Sequence, residues 1–242
     1  MAQAITFHGA ARTVTGSRHL LELNGKHVLV DCGLFQGARE IRDRNWQPFP
    51  IAPQEIEAIV ATHAHMDHIG YLPRLVAAGY RGPIFATPAT IALARISLPD
   101  SGRLQEEDAR SANKRGWSRN GQAMPLYTER DAYDCLKLFE PVPYRQLKAL
   151  PGGAQWRYLP AGHILGSTFA EVYFESGERI LMGGDLGRYD AVILEDPSPV
   201  DAAEYLVVES TYGDRLHPTE DPRDRLESIL KMTIQQAAVV IV

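Results

Sequence analysis

The stretch ATHAHMDHIG, Ala61 to Gly70, holds three of the chain's eight histidines and an aspartate within six positions: His63, His65, Asp67 and His68. Its lead-in, IEAIVAT at 56–62, reads as a short buried strand that runs directly into the cluster. Residues two apart on a helix point about 200° away from each other, but on an extended chain they face the same way. His63 and His65 therefore reach the same side at the strand's end. Asp67 and His68 follow where the next helix starts and the chain curls. The segment presents two adjacent ligand sets, His63 with His65 and Asp67 with His68. Neutral imidazole and carboxylate suit zinc or a similar divalent metal. The plainer alternative is a polar loop whose histidines merely cluster.

This loop alone lacks ligands for two metals, so others must come from the ends of other strands. LPAGHILGS puts His163 after a strand and between glycines, and ILMGGDLGR puts Asp185 just past another. Glycine lets backbone pass close to such a site. A turn histidine and a helix N-cap are the alternatives for these two residues.

Outward from these motifs, RHLLELNGKHVLVDCG reads as a hairpin closed by Asn24-Gly25, which supplies the positive φ angles of a type I′ turn. The stretch from about Gln36 to Pro53 reads as a long loop. IGYLPRLVAAGY has helical spacing and GPIFAT reads as a strand. From about Pro88 to Phe139 the pattern turns helical in three pieces, PATIALARI, RLQEEDARSANKR and TERDAYDCLKLF. Strands resume with QWRYLPAG, TFAEVYFES, ERILMGGD and EYLVVEST. Asp221-Pro222 is a good N-cap and first position for a helix with Leu226, Ile229, Leu230 and Ile234 on one face. The final AAVVIV reads as the opening of a buried strand, as if a longer protein were cut there. Exposed, it is expected to pair edge to edge with a second copy, giving a homodimer.

The bulk properties are those of a folded protein. Across 242 residues, 45% are hydrophobic and 23% charged, which argues against disorder. A net charge of −5 advertises no nucleic-acid partner globally. No apolar run approaches the ~20 residues of a membrane span, and no secretory signal is apparent. Two cysteines cannot build a disulfide framework, so a cytoplasmic setting is expected.

The order LVDCG, THAHMDHIG, AGHILGS and GGDLG resembles the metallo-β-lactamase fold. FHGAARTVTGS, PLYTERDA and above all VVESTYGDRLHP resemble its β-CASP branch, closest to the RNA endonucleases related to the cleavage and polyadenylation specificity factor. The likeness runs from Phe7 to about Pro218. It implies an α/β fold, an αββα sandwich of two packed mixed β-sheets flanked by helices. It implies a metallo-β-lactamase domain over 1–210 and, over 211–242, the start of a β-CASP domain that is otherwise missing. It implies two Zn2+ ions: His63, His65 and His163 on one, Asp67 and His68 on the other, with Asp185 bridging. Asp31 would orient the histidine cluster, and Glu209 would position a histidine that acts on the leaving group. The implied reaction is hydrolysis of a phosphodiester in RNA by a metal-bridged hydroxide, with Asp67 accepting the water's proton.

The chain departs from the family in one respect. Two further histidines, one at the leaving group and one completing the second zinc site, lie far downstream of ESTYG in β-CASP proteins. Here only His217 follows His163, and it is not expected to be a ligand. On that reading the second site is incomplete and the chain a weakened fragment. A small-molecule metallohydrolase acting on a thioester, lactone or phosphodiester, and a non-catalytic scaffold, are the rival readings. One local feature favours RNA: ARSANKRGWSRN carries Arg110, Lys114, Arg115 and Arg119 around Trp117 with no acid. Its alternative is a solvated helix face.

Overall fold

The computed structural model describes residues 3–117, 121–216 and 221–241. Arg119 and His217 lie outside them. The chain divides into two compact units, Met1–Glu209 and Ser210–Val242.

The first unit is built on two mixed sheets. In one, β1 (Gln3–Phe7), β2 (His19–Leu23), β3 (Lys26–Val30), β4 (Ile56–Val60), β5 (Ile84–Ala86) and β6 (Phe139–Pro141) lie side by side in chain order. The first three pair antiparallel and the last three join in parallel. In the other, the order is β11 (Tyr205–Val207), β10 (Arg179–Met182), β9 (Thr168–Tyr173), β8 (Gln155–Pro160), β7 (Lys148–Ala149). All its pairs are antiparallel except β10 with β11. Asn24 and Gly25 close the β2–β3 hairpin with φ of 51° and 78°, the left-handed values the sequence required.

Period-two alternation makes β3 and β4 the middle of the sandwich. Leu29 and Ile59 face one way, into a core with Leu72, Leu75, Ile84 and Leu98. Val28, Val30, Ala58 and Val60 face the other way, against Trp156, Tyr158, Ala170 and Val172 of the second sheet. Strands buried on both faces read as continuous apolar runs. The helices α2 (Met66–Ile69), α3 (Leu72–Ala77), α4 (Pro88–Arg115) and α5 (Glu129–Leu136) all contribute residues to the first of these cores.

Four sequence readings are corrected by the structure. The loop after Gln36 contains a short helix, α1 (Arg39–Arg42), and a 3-10 turn over Asp43–Trp46. PATIALARI and RLQEEDARSANKR are one helix, α4, which continues through Pro99. Proline loses one backbone hydrogen bond there, but Leu98, Pro99 and Gly102 are buried. Gly102 lies so close to α5 that a Cβ would meet the Glu129 amide nitrogen at 2.6 Å. The short strands β1, β6 and β7 had no pattern strong enough to announce them. Finally, residues 237–241 form no strand, because a β-branched run becomes one only where another strand supplies its ladder.

The second unit contains α6 (Pro222–Gln235), capped by Asp221, whose side chain accepts the Arg223 amide. The helix starts where Asp-Pro placed it. On its apolar face Leu226, Ile229 and Ile234 are exposed and Leu230 is half-buried.

Candidate metal centre

Three loops that leave parallel positions in the sandwich converge. His63, His163 and Asp185 each lie three residues beyond a strand, β4, β8 and β10 respectively. Four donor atoms meet there, from His63, His65, His163 and Asp185, all within 4.8 Å of one another. His65 Nδ1 is 3.0 Å from His63 Nε2 and 3.1 Å from His163 Nε2. Asp185 Oδ2 is 3.6, 3.9 and 3.3 Å from the nitrogens of His63, His65 and His163. Tetrahedral zinc with bonds of about 2.0–2.1 Å has ligand-to-ligand edges of about 3.3 Å. The observed edges bracket that value. A hydrogen-bonded cluster fits less well, since His65 Nδ1 has one proton or one lone pair and faces two ring nitrogens.

Asp185 also looks the other way. Its Oδ1 is 3.1 Å from His68 Nε2, and Asp67 Oδ2 is 4.0 Å from that same nitrogen. Asp67 and His68 thus lie together on the side of the second Asp185 oxygen. His63, His65, His163 and Asp185 fit a borderline divalent cation by donor type as well as by spacing.

Behind the donors sits Asp31, one residue past β3 and 1% exposed. Its φ of 60° is uncommon for a residue with a side chain and marks local strain. Four donors hold it: the Thr62 amide (2.7 Å), Thr62 Oγ1 (2.9 Å), Ser17 Oγ (3.3 Å) and His68 Nδ1 (2.7 Å). Burial works against the Asp31 charge, but His68, His63 and the Thr62 amide hold its carboxyl below the ordinary value. Because His68 donates from Nδ1 to Asp31, its Nε2 is turned to the metal side. This is the carboxylate–histidine arrangement that fixes a metal-ligating ring. Thr62 Oγ1 does the same for His63, lying 3.1 Å from its Nδ1.

The protonation states follow. Burial, joined by the charge of His68, pushes His63 down to about 4, so it is neutral and ready to ligate. Burial also lowers His163. His68 is buried too, yet carboxylates on both of its nitrogens, Asp31 and Asp185, push it up to about 10. Those carboxylates favour the protonated form of His68, and ligation through Nε2 would have to displace that proton. Burial opposes the charge of Asp185, but His63, His65 and His68 hold its carboxyl far below the usual range.

Close backbone approach locks the loops together. A Cβ on Gly33 would sit 1.6 Å from the Asp67 carbonyl oxygen, and one on Gly187 would sit 1.9 Å from that of Gly162. The His163 loop is tied further by Ser167 Oγ, which accepts the amides of His163 and Ile164 at 3.0 and 3.2 Å. Thr87 and Thr90, at the start of α4, donate to Gly166 O.

The sequence pattern of the beta-lactamase superfamily domain matches residues 26–241. The chain belongs to that superfamily. Ribonuclease TTHA0252 of Thermus thermophilus is 39% identical over 97% of this chain and 50% of its own length. Transcription termination factor FttA of Cenarchaeum symbiosum is 30% identical over 93% of this chain and 33% of its own. Cleavage and polyadenylation specificity factor 73 of Drosophila melanogaster is 29% identical over 94% and 31% respectively. The chain thus spans about half the length of the first of these relatives and about a third of the others.

Within this superfamily member, every site residue expected from the sequence except Glu209 lies in the cluster or against it. Glu209 stands beside the Asp185 loop, where its Oε1 accepts the Leu186 amide at 2.8 Å. Sequence reasoning gave no role to Thr62, Ser17, Ser167 or Tyr158. The buried Tyr158 hydroxyl donates to Ala61 O at 2.7 Å and Phe85 O at 2.8 Å, pinning the end of β4 to the second sheet just before the histidines. A tyrosine in an apolar strand carried no signal of this. Thr62 and Ser17 did carry one, Thr62 as the residue just before the histidines and Ser17 as the last residue of FHGAARTVTGS.

Proposed function

We propose that the protein is a metal-dependent hydrolase that cleaves phosphodiester bonds in RNA. The observation that carries this is Asp185, whose two oxygens face two separate donor sets, one of three histidines and one of Asp67 with His68. The names of the relatives, a ribonuclease and factors of cleavage and transcription termination, support RNA as the substrate. On this reading the ions are zinc, two per chain, with His63, His65 and His163 on one, Asp67 and His68 on the other, and Asp185 shared. Ser210–Val242 then belongs to a β-CASP region.

Bound divalent ions supply Lewis acidity toward a phosphate oxygen and lower the pKa of water toward neutrality. The chain's own residues do the rest. Asp67, about a quarter exposed beside His68, orients the attacking water and accepts its proton. Asp31 keeps His68 in one orientation and one tautomer. Glu209 braces the Asp185 loop through the Leu186 amide and, on this reading, positions a group that protonates the leaving oxygen. General acid catalysis of that kind contributes ~10²–10⁴-fold.

The test is a side-by-side assay of metal-replete protein on labelled RNA, matched DNA and a thioester panel, with elemental analysis of the same sample. Cleavage of RNA with zinc bound supports the reading. Thioester or lactone turnover without RNA cleavage replaces it with a small-molecule hydrolase, and absence of any bound metal removes the metallohydrolase reading altogether.

A further inference from the structure

Two of the chain's three tryptophans are largely in water. Trp156 is fully buried in the sandwich, but Trp46 is 54% exposed and Trp117 is 66% exposed. They are 71 positions apart in the chain, yet both line one groove, with a cavity volume of about 970 Å³. That is at the upper end of the ~300–1,000 Å³ range of ligand clefts. Leu34 and Phe35 line it together with Arg39 and Arg42. An indole exposed by more than half gives up a large apolar burial. Two of them around one groove, held by separate elements, call for an occupant with flat faces.

The surrounding charge says which occupant. The segments that line the groove, 34–46 and 101–117, hold seven cations (Arg39, Arg42, Arg44, Arg103, Arg110, Lys114 and Arg115) against five carboxylates (Glu40, Asp43, Glu106, Glu107 and Asp108). The whole chain, in contrast, is net −5. The Arg115 guanidinium lies 4.6 Å from the centre of the Trp117 ring, so a cation and a stacking face are presented together. Asp43 and Asp108 also line the groove, and Asp43 is 3.8 Å from Arg39. That exposed pair is weak and easily exchanged for a phosphate. Cations that follow a backbone, interleaved with aromatic rings that stack on bases, are the chemistry of single-strand recognition, with each stacked base contributing ~1–3 kcal/mol.

The groove is also joined to the metal centre. The Leu34 amide donates to Met66 O at 2.9 Å, between His65 and Asp67. Gly33 is pressed on the Asp67 backbone. Buried Arg18 fixes this floor, donating from Nε to Gly33 O and from Nη2 to Asn45 Oδ1. Asn45 in turn bonds both backbone groups of Phe35.

We propose that the groove between Trp46 and Trp117 is a binding site for single-stranded RNA outside the metal centre, holding a stretch of the strand while the scissile bond lies among the histidines. This rests on the reading of the protein as an RNA hydrolase, and two measurements keep the two apart. The first is fluorescence anisotropy with a labelled oligouridylate of ~15 nucleotides, on wild type, Trp46→Ala/Trp117→Ala and Arg42→Glu/Arg115→Glu. The second is hydrolysis of bis(p-nitrophenyl) phosphate, a diester too small to reach the groove. Both pairs lie on the surface, and unchanged circular dichroism and melting temperature check that the variants fold. The expected result is at least ~10-fold weaker oligouridylate binding for each double variant, a shallower salt dependence for the charge reversal, and unchanged hydrolysis of the small diester. Equal oligouridylate affinity for wild type and both variants overturns the groove proposal and leaves the hydrolase reading standing. Tryptophan-dependent RNA binding with no diester hydrolysis by wild type upholds the groove and overturns the hydrolase reading. Loss of binding to a proline-rich peptide, with RNA binding intact, reassigns the groove to a protein partner.

Discussion

The loop after β4 brings four donors from six consecutive positions, while the loops after β8 and β10 bring one each. The two halves are also held differently. His63 and His68 are nearly buried and hydrogen-bonded from behind, through Thr62 and Asp31. His163 and Asp185 are each about a quarter exposed, and their loops are set by backbone pressed on backbone at Gly162 and Gly187. Both halves press backbone on backbone, at Gly33 in one and Gly187 in the other, but only the first has a buried carboxylate orienting a ring from behind. Removing a donor, a backbone contact or a supporting hydrogen bond should therefore have separable consequences.

The largest effect is expected from the donors themselves. On the proposed reading, His65→Ala and Asp67→Ala in the full-length protein should each abolish RNA cleavage, and His65→Ala should also lower metal content. Retained cleavage in either would break the equivalence of the two donor sets. Next comes Gly187→Ala. A Cβ there collides with the Gly162 carbonyl, so the backbone must move, at a cost of roughly 3–5 kcal/mol on the scale of severe substitutions. Denaturant unfolding measures it, and a loss under ~1 kcal/mol would show that the second half is not packed as tightly as described.

A smaller, more selective effect is expected from Asp31→Asn. The shape is kept, but the carboxylate that orients His68 is lost, and metal affinity should fall ~10–100-fold. Competition with a calibrated chelator reads this out, and unchanged affinity would leave Asp31 a purely structural residue. The smallest effect belongs to Ser167→Ala, which removes the acceptor for the His163 and Ile164 amides. A loss of about 1–2 kcal/mol is expected, with metal content preserved at moderate temperature. Loss of metal at that modest cost in stability would show the His163 loop to be as dependent on side-chain bonds as the β4 loop.

Much of the fold could be read from the chain because its signals were local. Asn24-Gly25 dictated a hairpin through its backbone angles, and Asp221-Pro222 dictated a helix start. IEAIVAT declared a strand with both faces buried, since apolar residues run without a break from Ala58 to Ala61. At Pro99 the signals conflict: alone a proline argues for a break, but burial of Leu98, Pro99 and Gly102 outweighed one lost hydrogen bond. The final AAVVIV misled because β propensity describes how a residue suits a sheet and does not itself provide one.

For the site, sequence alone determined the donor types and one half of the geometry. The spacing His63, His65, Asp67, His68 on a strand-to-helix junction fixes which side chains turn together, because that depends only on backbone periodicity within a few residues. Tertiary structure decided everything that joins distant segments: that Asp185 stands between two donor sets, that Asp31 lies behind His68, that Tyr158 pins the end of β4, and that Trp46 and Trp117 share a groove. Each of those depends on how two sheets pack and how closely their end loops approach. Such packing is set by the summed burial of many side chains and the absence of a few Cβ atoms, and no short stretch of the chain records it.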